Sequence, residues 1–188
     1  MENRKILNRH SLSFRASEAS RGISVLMIIL LAVLARLIPH PPNFAPIAGL
    51  ALFSGSNFKN KISLLIPLAA MILSDIFLGF HSTIFYVYIS FILITLIGRK
   101  IKSLKFSNLF LASLLSSILF FLITNFGVWA TGSMYPKTFD GLIQSYVMGL
   151  PFFRNTVLGD LFYSFSFFYG FEFLSKFIHK NFIYPTNY

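Results

Sequence analysis

Thr156, Asp160, Tyr163 and Ser164 stand at i, i+4, i+7 and i+8 of an otherwise apolar run that continues to Phe173. At helical spacing they make one polar stripe on a helix whose other faces are Phe and Leu. The run is long enough to cross a bilayer, where an ionisable group is expensive and turns toward a bundle interior or a water-filled cavity. A carboxylate held there can accept hydrogen bonds from a ligand, balance a buried cation or act as a general base. The plainer alternative is that Asp160 only bonds a neighbouring helix. Arg154 and Asn155 lie at the mouth of the same run and add a guanidinium, suited to a carboxylate or phosphate, and an amide.

The elements that must position these groups are read from hydropathy. The chain has 188 residues, 55% of them hydrophobic and only 12% charged, with 24 Phe and 8 Tyr. Its mean hydropathy is +0.71. That composition lies outside the range of soluble domains and predicts an integral protein of the cell inner (plasma) membrane. A net charge of +10 would point to nucleic acid in a soluble protein, but here the basic residues sit between apolar runs and act as topology signals, so no nucleic-acid partner is expected. There is no cysteine, which excludes disulfides, thiolate catalysis and Cys-ligated metal.

Six apolar runs follow a basic tail of residues 1–22, and a C-terminal tail of residues 181–188 closes the chain; residues 23–180 form the transmembrane domain. No A-x-A cleavage site follows the first run, Ile23 to Ile38, so it is read as a retained helix. Pro39, Pro41 and Pro42 force a turn after it. The second run, Phe44 to Phe58, is short and small-sided: Ala45 and Gly49, and Ala51 and Gly55, are each four apart, which lets helix backbones approach closely. Asn43 is its expected cap. The third run, Ile62 to Phe80, holds Pro67 and Asp75, and the fourth extends from Thr83 to Ile97. The fifth, Leu109 to Ala130, carries Ser113, Ser117 and Thr124 on one face. Residues 131–150, with Gly132, Pro136, Gly141 and Gly149, read as a long loop able to act as a lid, and the sixth run starts near Pro151.

The fold expected is therefore all-α: a six-transmembrane-helix bundle with both termini cytoplasmic. Thirteen of the 16 Lys and Arg then lie inside, leaving Arg36, Lys137 and Arg154 outside. In this topology Arg36, His40, Asn43, Asp75, His81, Asn125, Trp129, Arg154, Asn155 and Asp160 converge on the outer layer and form the candidate ligand site. Arg36 and Arg154 can balance Asp75 and Asp160, as a structural ion-pair network or as a site for a solute of little net charge. Trp129 offers a face for a ring, and Asn43 and Asn125 offer donors and acceptors. No H-E-x-x-H spacing joins His40 or His81 to a carboxylate, so no metal and no cofactor are expected. G-x-S-x-G, P-loop and G-x-G-x-x-G motifs are absent from the sequence.

Four segments together carry a resemblance: Arg36 through Ile47, Ser74 through His81, Thr124 through Trp129, and Gly149 through Asp160. They resemble a family of uncharacterised bacterial six-helix membrane proteins, over roughly residues 23 to 175. More distantly, the layout is similar to the substrate-binding S components of energy-coupling factor transporters. That likeness implies capture of a micronutrient from outside and docking on a coupling module with two ATPases. The docking motif of those components has alanines four apart on the first helix, where this chain has Ala32 and Ala35. The function expected is thus a non-enzymatic solute-binding subunit in membrane lipid, taking a small ring-bearing compound. A scaffold subunit of a cell-envelope complex, or an intramembrane enzyme with Asp75 or Asp160 as base on a lipid-linked substrate, are the alternatives.

Because the chain lacks cysteine, single reporters test the orientation cleanly. An impermeant thiol reagent on intact cells should label Ser133→Cys and spare Ser103→Cys; the reverse pattern inverts the topology.

Overall fold

The computed structural model describes residues 25–58 and 60–178, with side chains as far as Phe173. The tails 1–22 and 181–188, and Lys59 of the second connection, lie outside the described residues. The chain is all-α, with six helices among the described residues: α1 Val25–Leu37, α2 Ile47–Asn57, α3 Ile62–Leu78, α4 Ile84–Gly98, α5 Phe106–Thr131 and α6 Phe139–Ile178. Their number and order follow the apolar runs.

Length separates them. One helix, α5, with 26 residues and mean hydropathy 2.1, is long and apolar enough by itself to cross a membrane. At 1.5 Å per residue it extends about 39 Å, against roughly 30 Å of hydrocarbon. Helices α1, α3 and α4 are apolar but shorter, and α2 has only 11 residues.

The short helix is the most enclosed. Every residue from Ile47 to Gly55 is buried, on all faces, with α3, α4, α5 and α6 around it. Its small residues explain how. A Cβ on Gly55 would overlap the Thr95 carbonyl oxygen of α4, and one on Gly98 of α4 would overlap the Leu52 carbonyl oxygen. On the other side a Cβ on Gly49 would lie 2.7 Å from the Ser164 nitrogen of α6. The close approach expected from the small-residue spacing is therefore present, and it is made to backbone on both sides. Asn43 does not cap this helix: Pro46 holds the N-cap position without a side-chain bond, and Asn43 adopts φ 65° in the preceding turn. The Phe44 N–H donates to the Pro41 carbonyl at 3.0 Å, with Pro42 second and Asn43 third, the sequence preference of a type II turn.

Pro67 sits inside α3 and cannot donate to Ser63, four residues earlier. The freed Ser63 carbonyl instead accepts from Ser54 Oγ of α2 at 2.8 Å. The Ser63 hydroxyl accepts from Arg99 Nη2 at 2.8 Å, and the same Arg99 atom donates to the Asn60 carbonyl at 2.7 Å. These bonds tie the α2–α3 connection to the end of α4.

The last helix overturns one expectation. The long loop of residues 131–150 is not there; α6 has 40 residues and Pro151 lies within it. Thr138 Oγ1 accepts from the Gly141 N–H at 3.2 Å, an N-cap, and Asp140 occupies the first turn. The glycines that suggested a loop serve packing: a Cβ on Gly141 would overlap the Pro136 carbonyl oxygen, and one on Gly149 would overlap Asn125 Oδ1.

Buried positions include Ser74, Ser90, Thr95, Ser113, Ser116, Ser117, Thr156 and Ser164, whereas Leu26, Leu65, Phe77, Phe85, Leu111, Phe162 and many other large apolar side chains are exposed. Most of the buried hydroxyls donate to the carbonyl four residues earlier on their own helix, as Thr95 does to Phe91 at 2.8 Å.

Gly55→Ala should lower stability by about 1–3 kcal/mol in denaturant unfolding followed by helical circular dichroism, because backbone must move to admit the methyl. Gly170→Ala, where the added carbon meets nothing within 4 Å, should be neutral or gain up to about 1 kcal/mol.

Candidate ligand-binding cavity

The α1–α2, α3–α4 and α5–α6 connections meet around a cavity of about 720 Å³. Its wall includes Pro39 and Pro42 from the first connection, His81 and Thr83 from the second, and Met134 and Tyr135 from the third. Ile47 and Ala48 of the first turn of α2 also line it, as do Phe91, Phe120 and Phe152. Lys61, Arg99, Lys100, Lys102 and Lys105 lie on the connections at the other end of the helices.

Of the ten residues expected in the site, Arg36, His40, Asn43, His81, Asn125 and Asp160 line this cavity. Asp75 is fully buried behind it. Arg36 Nη1 donates to Asp75 Oδ1 at 2.7 Å and to Ser74 Oγ at 2.6 Å, and Tyr88 Oη donates to Asp75 Oδ2 at 2.9 Å. Both oxygens of this carboxylate are thus occupied by the chain, and the charge pair fixes the end of α1 against α3. Asp160 sits deep on α6, 3% exposed, and accepts from Ser117 Oγ of α5 at 2.7 Å.

Three expected members stand elsewhere. Arg154 is exposed and takes no part in an ion pair with Asp160, so the balanced network of two arginines and two aspartates is reduced to one pair. At helical geometry Arg154 and Asp160 are six residues apart, on different faces, which is why the two cannot meet. Trp129 lies outside the cavity wall; its Nε1 donates to the Pro136 carbonyl at 3.0 Å, and Lys137 Nζ sits 5.8 Å from its ring centroid. The same ammonium donates to the Trp129 and Gly132 carbonyls. This residue therefore anchors the short α5–α6 connection, and the aromatic residues of the cavity wall are Phe91, Phe120, Phe152 and Tyr135. Asn155 Nδ2 donates to the Pro42 carbonyl at 3.1 Å and ties α6 to the first connection.

Two participants were missed by the site reading. Ser117 falls on the α5 stripe with Ser113 and Thr124, whose helical spacing is a visible signal. Tyr88 is a phenol in a run of apolar residues, with nothing local to connect it to Asp75.

Over residues 16–182 the sequence matches a family of unknown function, DUF6580. The chain belongs to that family. No curated protein and no solved structure matches it. For this DUF6580 member the geometry alone indicates what the site can do: Arg36 keeps donors beyond those given to Ser74 and Asp75, Asn125 keeps its oxygen after donating Nδ2 to the Phe121 carbonyl at 2.8 Å, and Asp160 keeps an oxygen.

Arg36→Met should destabilise the chain by about 3–5 kcal/mol, since it leaves the buried Asp75 unpaired, and Asp75→Asn should cost less, since Arg36 is only partly buried and faces the cavity. The double variant should lose less than their sum, with coupling read from a double-mutant cycle. Arg154→Ala should fall within about 0.5 kcal/mol of wild type.

Proposed function

We propose that this chain is a membrane-embedded subunit that binds a small solute from the outer side and delivers it to an uptake transporter, in the manner of an energy-coupling factor S component. The observation that carries the reading is the cavity: about 720 Å³, within the roughly 300–1,000 Å³ of small-molecule sites, mostly apolar, with polar groups from α1, α5, α6 and three connections. Polar residues gathered inside and large apolar side chains spread over the outside support a bilayer setting, because soluble monomers rarely expose apolar patches beyond a few hundred Å². The basic residues at the end away from the cavity support an outward-facing opening. The six helices would then pass through or into the membrane as a bundle, with α2 enclosed by the others rather than spanning alone.

The chain has no nucleotide-binding motif, so accumulation against a gradient would draw on a separate coupling subunit with ATPases. Catalysis by Asp75 is disfavoured by its full burial away from the cavity wall and by its bonds to Arg36 and Tyr88. The connection between α5 and α6, residues 132–138, is a far shorter cover than the lid expected from sequence, and Met134 and Tyr135 are the parts of it that reach the cavity.

A ligand that binds only the folded state should raise the melting temperature with dose, the gain in stability reaching about 2.7 kcal/mol at a hundredfold excess over Kd. Screening the purified protein against vitamins, nucleobases and their precursors should yield such a compound, and Val128→Trp, which puts an indole into the cavity wall, should weaken the shift. If no compound stabilises the wild-type chain and no ATPase pair co-purifies with it, the scaffold reading replaces this one.

A further inference from the structure

Charge around the cavity does not cancel. Arg36 is neutralised by Asp75 at 2.7 Å, and Arg154, the cation that the sequence offered to Asp160, is exposed and unpaired with it. Among the described residues Asp160 has no ion-pair partner, and its hydrogen bond from Ser117 occupies Oδ2 alone. No buried side-chain oxygen among the described residues lacks a partner, so Oδ1, which accepts nothing from the chain, is open to the cavity that Asp160 lines. Apart from the already neutralised Arg36, no Lys or Arg contributes to the wall. A carboxyl this enclosed either keeps a proton or meets something of opposite charge, and a cationic ligand reaching Oδ1 would favour the ionised form.

We propose that the cavity takes a monovalent organic cation, a ring bearing a protonated amine or amidine, whose charged nitrogen donates to Asp160 Oδ1. This rests on the solute-binding reading and narrows its ligand. The aromatic wall of Phe91, Phe120 and Phe152 suits the rest of such a molecule, since ring faces attract organic cations and the apolar body of the ligand is sheltered there. A bare metal ion is a poorer fit: hard cations need a shell of oxygens, and the described residues hold no cluster of three or more His, Asp or Glu. Asn43 and Asn125 on the wall carry further acceptor oxygens that a second N–H of the same ligand can use.

The test uses the full chain, purified in detergent, and four probes of one shape: benzylammonium, benzamidinium, benzyl alcohol and benzoate, with NaCl and KCl at matched ionic strength. The two cations should bind about tenfold or more tightly than benzyl alcohol, the worth of a charge-assisted hydrogen bond, and benzoate should bind least. Asp160→Asn keeps an oxygen for Ser117 and should bring benzylammonium down to the level of benzyl alcohol, whose own binding should not change. Equal binding of all four, a preference for benzoate, a response to the salts alone, or a cation preference that survives Asp160→Asn overturns the inference and leaves the solute-binding reading standing. Silence from every probe removes both. The order of the probes on the wild-type chain decides the matter even if the variant does not fold.

Discussion

Where α2 meets α4, Gly55 lies against the Thr95 carbonyl and Gly98 against Leu52, so two helical backbones touch with no side chain between them. Gly49 makes the same kind of contact with α6 on the opposite side, and Gly159 of α6 faces Phe44 just before α2, where an added Cβ would lie 2.9 Å from Phe44 Cα. An 11-residue helix is thereby clamped between two longer ones. In an apolar solvent this is the geometry that gains most from dispersion, because burying more hydrocarbon would bring little. It also places the cavity. A short central helix leaves room beyond its end, and Ile47 and Ala48 of its first turn form part of the wall there.

Polar groups follow from the same constraint. With neighbours this close, interior positions take small residues, and serine and threonine supply hydroxyls that return a hydrogen bond to their own helix. Such groups are satisfied at no cost to packing. Ser54, Arg99 and Arg36 depart from that pattern and bond across elements: to the carbonyl freed by Pro67, to the α2–α3 connection, and to Asp75. The two arginines join segments 39 residues apart and Ser54 reaches the start of the next helix, and each lies near one end of the helices, where connections must be held in register.

Much of this was legible in the residues. Apolar runs located α1 to α5 to within a few positions, and the small-residue spacing of the second run foretold its close contacts. The start of α6 was not seen, because Gly141, Gly149 and Pro151 weigh toward a loop when each is judged alone. Thr138 followed by Asp140 is a helix start, and it outweighed them once Pro136 and Asn125 filled the space beside the glycines. Depth was easier to read than direction. Hydropathy placed Arg36, Trp129, Arg154 and Asp160 at one level, but which way each faces depends on helix rotation. That rotation turned Arg154 outward, gave Trp129 to Pro136, and left Arg36 to Asp75 alone. For the same reason the balance of two arginines against two aspartates, on which the expectation of a near-neutral solute rested, is not formed among the described residues, and the ligand proposed above is argued from Asp160 instead.

A scaffold could keep the ion pair, the hydroxyl bonds and the glycine contacts without keeping empty space. Helices that pack through glycine backbones elsewhere are able to close on one another, and a cavity keeps its lining side chains out of that close packing. Here the volume remains at one end, walled by residues from distant parts of the chain, with the free oxygen of Asp160 opening into it. Lengthening α2 by a turn, or replacing Ala48 with a larger residue, would be a short evolutionary route to filling it. The polar layer therefore divides by use: Arg36, Asp75, Ser74 and Tyr88 bond to one another and hold α1, α3 and α4 together, whereas Asp160 and Asn125 on the cavity wall each keep an oxygen that accepts no hydrogen bond among the described residues.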